Sequence, residues 1–207
     1  MNLKTNKKFI YLLSPSSIKN NKFFVDLVEV LSTKKISFFQ LRLKGESYKK
    51  SLSIAKKAKR ICKKFNVKFL INDNPYFAKQ IGADGCHLGQ KDMSLQKARK
   101  ILKKKIIGVS CHNSIKLVKK ATKDGADYVA LGSFFKSKTK QNAIRSKIQI
   151  INKSKKVSKL PIVCIGGITD KNYKKLILHK PNFLAISSYI WSNSKLKPKE
   201  AAKKIDL

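Results

Sequence analysis

Short runs of Ile, Leu, Val, Phe and Tyr alternate along the chain with longer stretches in which apolar positions return every three or four residues and lysine fills the positions between. The short runs predict strands at 9–13, 37–42, 67–71, 85–88, 106–110, 128–132, 162–165 and 183–186. The longer stretches predict helices, among them 48–64, 94–102, 114–124, 144–156 and 172–179. No linker rich in Pro, Gly and Ser interrupts the pattern, so residues 1–207 read as one domain of ordinary size. A strand followed by a helix and then another strand makes a parallel pair, because parallel strands need a crossover. Eight such units predict a single α/β domain, a closed (β/α)₈ or TIM barrel with its site at the C-terminal ends of the strands. An open doubly wound sheet is the alternative. It would leave edges, and the GxGxxG fingerprint of its nucleotide-binding form is absent.

The stretch FFQLRLK, residues 38–44, refines this picture. Side chains alternate across a strand, so Gln40, Arg42 and Lys44 share one face while Phe39, Leu41 and Leu43 share the other. On an open sheet the polar face would simply be wet. In a barrel it points into the mouth.

Composition adds a strong positive charge, +37 from 48 basic and 11 acidic residues. Such a balance suggests nucleic acid or an anionic surface as a partner. Arginine, the better reader of phosphates and bases, occurs only at Arg42, Arg60, Arg99 and Arg145, and lysine is spread over the outer helix faces beside abundant Ile and Asn. A solvated surface shaped by AT-rich coding is favoured over a nucleic-acid partner, with a general attraction for anionic small molecules. Cys62, Cys86, Cys111 and Cys164 form no CxxC pair and no close Cys/His ligand spacing, which favours buried free thiols over zinc or redox chemistry. The early apolar run at 9–13 is too short for a signal segment, and no run approaches the roughly 18 residues of a membrane span. The expected protein is soluble and cytoplasmic; its oligomeric state is not legible.

Chemically capable residues gather where the predicted strands end: Gln40, Arg42 and Lys44; Asn72 and Asp73; a loop reaching Asp92; Ser110 with His112; Gly132-Ser133 followed by Ser137, Thr139 and Lys140; Gly166-Gly167; and Ser187-Ser188. The Gly-Gly and Ser-Ser ends of the seventh and eighth strands suit a phosphate, because glycine lets backbone N–H groups approach an anion. Asp73 and Asp92 are scarce acids facing Arg42, Lys44 and Lys140. Each could cap a helix, one before Asn74-Pro75 and one before Ser94. Together they suit a magnesium ion that completes its shell with phosphate oxygens. His112 reads equally as a proton-transfer group or a wall residue, His87 as structural, and His179 as a helix end.

Taken in order, QLRLK, LINDN, GADGCHLGQKD, GVSCHN, GADYVALGSFFKSKTK, PIVCIGGI and LAISS resemble the thiamine phosphate synthase family over nearly the whole chain. The resemblance implies a barrel that joins hydroxymethylpyrimidine diphosphate to thiazole phosphate and releases pyrophosphate with Mg2+. It implies that Gln40, Arg42, Lys44, Asn72 and Lys140 bind the pyrimidine diphosphate and that Asp73 and Asp92 hold the magnesium. Ser110 would lie by the pyrimidine and pyrophosphate, and Ser137, Thr139, Gly167, Ile186 and Ser187 would hold the thiazole phosphate. Arg42, Lys44, Lys140 and Ser110 would carry catalysis, chiefly by neutralising the departing pyrophosphate. Three departures stand out: Leu43 where the family usually has Glu, Ser137 where it often has Thr, and 141–144 where it is glycine-rich. Two rivals remain at this point, the related thiazole tautomerase, which could use His112, and a non-catalytic basic barrel that binds nucleic acid.

Overall fold

The computed structural model describes residues 9–136 and 145–206. Eight strands and nine helices are found among the described residues: β1 (Ile10–Leu13), α1 (Lys22–Ser32), β2 (Ile36–Leu41), α2 (Tyr48–Lys64), β3 (Lys68–Asn72), α3 (Pro75–Gln80), β4 (Gly85–Leu88), α4 (Leu95–Leu102) and β5 (Ile106–His112) form the first part. They are followed by α5 (Ile115–Lys123), β6 (Tyr128–Leu131), α6 (Ile150–Val157), β7 (Ile162–Ile165), α7 (Tyr173–Ile177), β8 (Phe183–Ile186), α8 (Ser188–Trp191) and α9 (Pro198–Lys204). All neighbouring strands pair in parallel, and the β1–β8 pairing, Ile10 opposite Leu184, closes the sheet into the expected barrel.

Closure explains the sequence pattern. Outward residues such as Phe39, Phe69 and Ile107 pack beneath the helices, while inward ones such as Tyr11, Phe38, Tyr128 and Phe183 fill the barrel. Phe38 meets Phe183 edge to face with ring centroids 5.0 Å apart, the geometry that aromatic quadrupoles favour. Leu43 packs against the outer layer, on the face opposite the polar row. The second strand stops at Leu41, one residue earlier than expected, so Arg42 and Lys44 stand on the loop beyond it. The fifth runs further than expected, to His112, through an irregularity between Ser110 and His112. Helix α6 starts at Ile150, later than the periodicity suggests.

At the base of the barrel, polar residues that precede alternate strands hold the sheet together. Asp84 accepts the Phe69 N–H at 2.8 Å, Asp127 accepts that of Ile107 at 2.7 Å, and Asn182 accepts that of Ile162 at 2.9 Å. The acid in each Gly-Ala-Asp motif is therefore a structural acceptor. Asp127 also takes a 2.7 Å bond from Arg99, whose guanidinium reaches the carbonyls of Lys103, Lys105 and Gly125 as well. No helix among the described residues is long and apolar enough to cross a membrane.

Candidate active site

The C-terminal ends of the strands open into a cavity of about 1530 Å³. Its lining includes Gln40, Arg42, Lys44, Asn72, Asp73, Asp92, Ser110, Gly167, Ile186 and Ser187, so the sequence-predicted residues from six different strand ends meet in one mouth. Ser137, Thr139, Lys140 and the stretch 141–144 lie outside the described residues.

The two loops nearest the first strands are tied together. Ser14 Oγ accepts the Arg42 N–H at 2.8 Å, and the Lys44 N–H reaches the Ser16 carbonyl at 2.9 Å. The eighth strand joins the same ring: Ser187 Oγ donates to the Ser14 carbonyl at 3.2 Å, and the Trp191 indole N–H to that of Leu13 at 2.6 Å. These contacts hold the cationic loop beside the phosphate-suited end of β8. Gly167 has φ +62°, and a Cβ there would come within 2.3 Å of the Lys136 carbonyl oxygen, so the turn after β7 admits only glycine without rearrangement.

Neither aspartate is a helix cap. The cap of α3 is Asn74, whose side chain accepts from the Phe77 N–H at 3.0 Å, and the cap of α4 is Ser94, which accepts from Lys97. Asp73 instead sits in a left-handed bend, φ +64°, its N–H bound to the His87 carbonyl at 2.8 Å. Asp92 accepts the Gly89 N–H at 2.6 Å. Burial pushes Asp73 up to about 6; the hydrogen bond and negative charge of Asp92 add to the rise, and Arg42 and Lys44 oppose it. Two carboxylates this close together could hold a cation. No group of three or more His, Cys, Asp and Glu gathers among the described residues, so a metal here would depend on oxygens from substrate and water, as magnesium commonly does.

Beneath the acids lies a polar network not foreseen from sequence. Gln40 Nε2 donates to Asn72 Oδ1, and Tyr11 Oη donates to Gln40 Oε1 at 2.8 Å. The Tyr11 and Tyr128 hydroxyls are 2.7 Å apart, His87 Nδ1 is 2.8 Å from Tyr128, and His87 Nε2 is 2.9 Å from Ser110 Oγ. His87, read from sequence as structural, is thus buried yet bonded to a cavity residue. Gln90 Nε2 donates to the Ser110 carbonyl at 2.5 Å and braces the same strand end. His112, at φ +50° on the rim, also lines the cavity. All four cysteines are buried and free, and burial pushes Cys86 and Cys111 up to about 12, which removes them as thiolate nucleophiles.

Comparison with known proteins follows the same lines. The sequence model of the family described as thiamine monophosphate synthase matches residues 10–190. The chain is 61% identical over 202 residues to the thiamine-phosphate synthase of Pelagibacter ubique, covering 98% of each chain. It is 37% identical to that of Erythrobacter litoralis, covering 88% of each. Its fold matches the thiamine phosphate pyrophosphorylase of Pyrococcus furiosus with a TM-score of 0.85 and 25% identity, over 96% of this chain and 94% of that one.

Proposed function

As the chain belongs to the thiamine monophosphate synthase family, we propose that it condenses hydroxymethylpyrimidine diphosphate with thiazole phosphate, releasing pyrophosphate and forming thiamine phosphate. The observation that carries this reading is the Asp73–Asp92 pair, neither of which caps a helix, facing Arg42 and Lys44 in one cavity. A diphosphate with magnesium matches both signs of charge. An uncharged substrate would satisfy neither.

In this reading Asp73 and Asp92 hold the magnesium, and a surplus of negative charge on the pair is what a divalent cation relieves. When bound, the ion neutralises charge on the diphosphate oxygens. Arg42 and Lys44, fixed by the Ser14 and Ser16 contacts, stabilise the negative charge that grows on the departing pyrophosphate. Lys140 is proposed to join them. Gln40, Asn72 and Ser110 hold the pyrimidine ring on the cavity floor, which keeps its methylene carbon near the phosphate cluster. Gly167, Ile186 and Ser187 hold the thiazole phosphate across the cavity, and Ser137 and Thr139 are proposed to join them. The thiazole nitrogen supplies its own lone pair, so no general base is needed to make the new bond.

The test is pyrophosphate release with both substrates and magnesium. Release that requires both substrates and stops on chelation is the expected result. A protein that releases no pyrophosphate under these conditions contradicts the reading.

A further inference from the structure

Asn72, His87, Gly108 and Tyr128 stand opposite one another in a single register row across β3, β4, β5 and β6. The glycine decides what that row can do. A Cβ at Gly108 would fall 1.8 Å from Cζ of Tyr128, so its absence lets the phenol lean across β5 onto its neighbour's neighbour. Tyr128 and His87 consequently stack, with centroids 5.6 Å apart and planes 22° apart. Tyr11 completes the contact from β1, its ring edge-on to Tyr128 at 5.7 Å.

Counting protons gives the network a direction. Both phenols are buried and burial pushes both well above the ordinary tyrosine value, so each keeps one proton to donate. Tyr11 gives its proton to Gln40 Oε1. The 2.7 Å contact between the phenols must therefore be filled by the proton of Tyr128. Tyr128 can then only accept from His87 Nδ1, which carries the N–H. His87 is buried, which favours the uncharged imidazole; that form has a single N–H, so Nε2 carries no proton and accepts from Ser110 Oγ.

We propose that Tyr128 is a positioning residue for the known reaction of the family: through the His87 tautomer it turns the Ser110 hydroxyl proton inward, so that Ser110 offers the cavity lone pairs only. At the other end the Gln40 amide nitrogen spends one N–H on Asn72 and has a second to give. The floor therefore accepts at Ser110 and donates at Gln40. That polarity selects a ring whose edge carries a donating amino group beside an accepting ring nitrogen, and it rejects the oxo counterpart, whose carbonyl would meet the Ser110 lone pairs. The selection rests on the pyrimidine reading of the cavity; the hydroxyl direction does not.

The direct test is a long-range ¹H–¹⁵N correlation spectrum of the ligand-free protein labelled at histidine. Its three histidines are assigned with the His112→Gln and His179→Gln variants. His87 is expected as the Nδ1–H tautomer in the wild type, with that population falling in Tyr128→Phe. An Nε2–H tautomer in the wild type means the Gln40 amide and every bond after it run the other way, and it overturns the proposal. Because that result needs no variant, a Tyr128→Phe protein that fails to fold does not rescue the idea.

Affinities for an aminopyrimidine-methanol diphosphate and its oxo counterpart supply the functional arm. The wild type is expected to prefer the amino compound by about 100-fold, and Tyr128→Phe to lose about tenfold of that preference. An unchanged preference alongside a shifted tautomer overturns the positioning role. Failure of the wild type to bind either compound, with the Nδ1–H tautomer present, removes the pyrimidine reading and leaves the hydroxyl direction standing.

Discussion

At the base of the barrel Asp84 and Asp127 each accept a strand N–H, and Asp127 is paired to Arg99 besides. At the mouth Asp73 and Asp92 lie together, and burial, with the hydrogen bond and charge of Asp92, raises Asp73 to about 6. The residue type is the same and the loops lie on one scaffold, yet the basal acids are satisfied by donors of the chain while the mouth acids, in the function proposed, take a cation. Acids that a fold satisfies internally stabilise it. Acids it crowds together in a cavity are available for binding.

The largest expected effect breaks the mouth alone. Asp92→Asn keeps an acceptor for the Gly89 N–H but removes the charge, and pyrophosphate release should fall about 1000-fold, roughly 4 kcal/mol of transition-state stabilisation. Its urea midpoint should stay level or rise. Asp127→Ala reverses the pattern: the Ile107 N–H and Arg99 lose their acceptor, which costs about 1–3 kcal/mol in urea unfolding, while turnover per folded molecule holds. Equal losses of activity in the two variants would erase the distinction between the ends.

A smaller effect concerns pH. The Asp73 carboxyl moves from 3.8 in the unfolded chain to about 6 when folded, so it binds its proton more tightly in the folded state. Between those values the folded protein carries more protons, and stability falls as pH rises through the window. In metal-free protein at pH 7, Asp73→Asn should recover about 1 kcal/mol after allowance for solvent screening of this half-buried carboxyl, and it should flatten the stability profile between pH 4 and 6. Superimposable profiles for wild type and variant would contradict this. The smallest effect is long-range: with a net charge of +37, kcat/KM should drop a few-fold from low to physiological salt, whereas the short basal hydrogen bonds should barely respond in stability. A salt-independent kcat/KM would remove the field from the argument.

Much of this contrast was legible before any coordinates. The strands at Gly85–Leu88, Ile162–Ile165 and Phe183–Ile186 and the helix Tyr48–Lys64 fall where the pattern put them, because alternation and helical spacing report burial directly. The Gln40 row and its opposition to Leu43 follow from the same period. What pattern cannot supply is register between strands. That Tyr128 crosses Gly108 to meet His87, and that Asn74 and Ser94 rather than the acids cap their helices, depends on which residues stand opposite and which backbone bends. His87 reads as structural until β4, β5 and β6 are aligned; a glycine at the inward position between two rings is the one hint the chain carries.

The most direct measurement of the division between mouth and base is thermal unfolding with and without magnesium pyrophosphate. A ligand that binds only the folded state raises the melting temperature. Wild type and Asp127→Ala should rise by the same increment from their different starting points, and Asp92→Asn should not rise. An undiminished increment in Asp92→Asn would contradict the assignment of the mouth acids to the metal and its diphosphate.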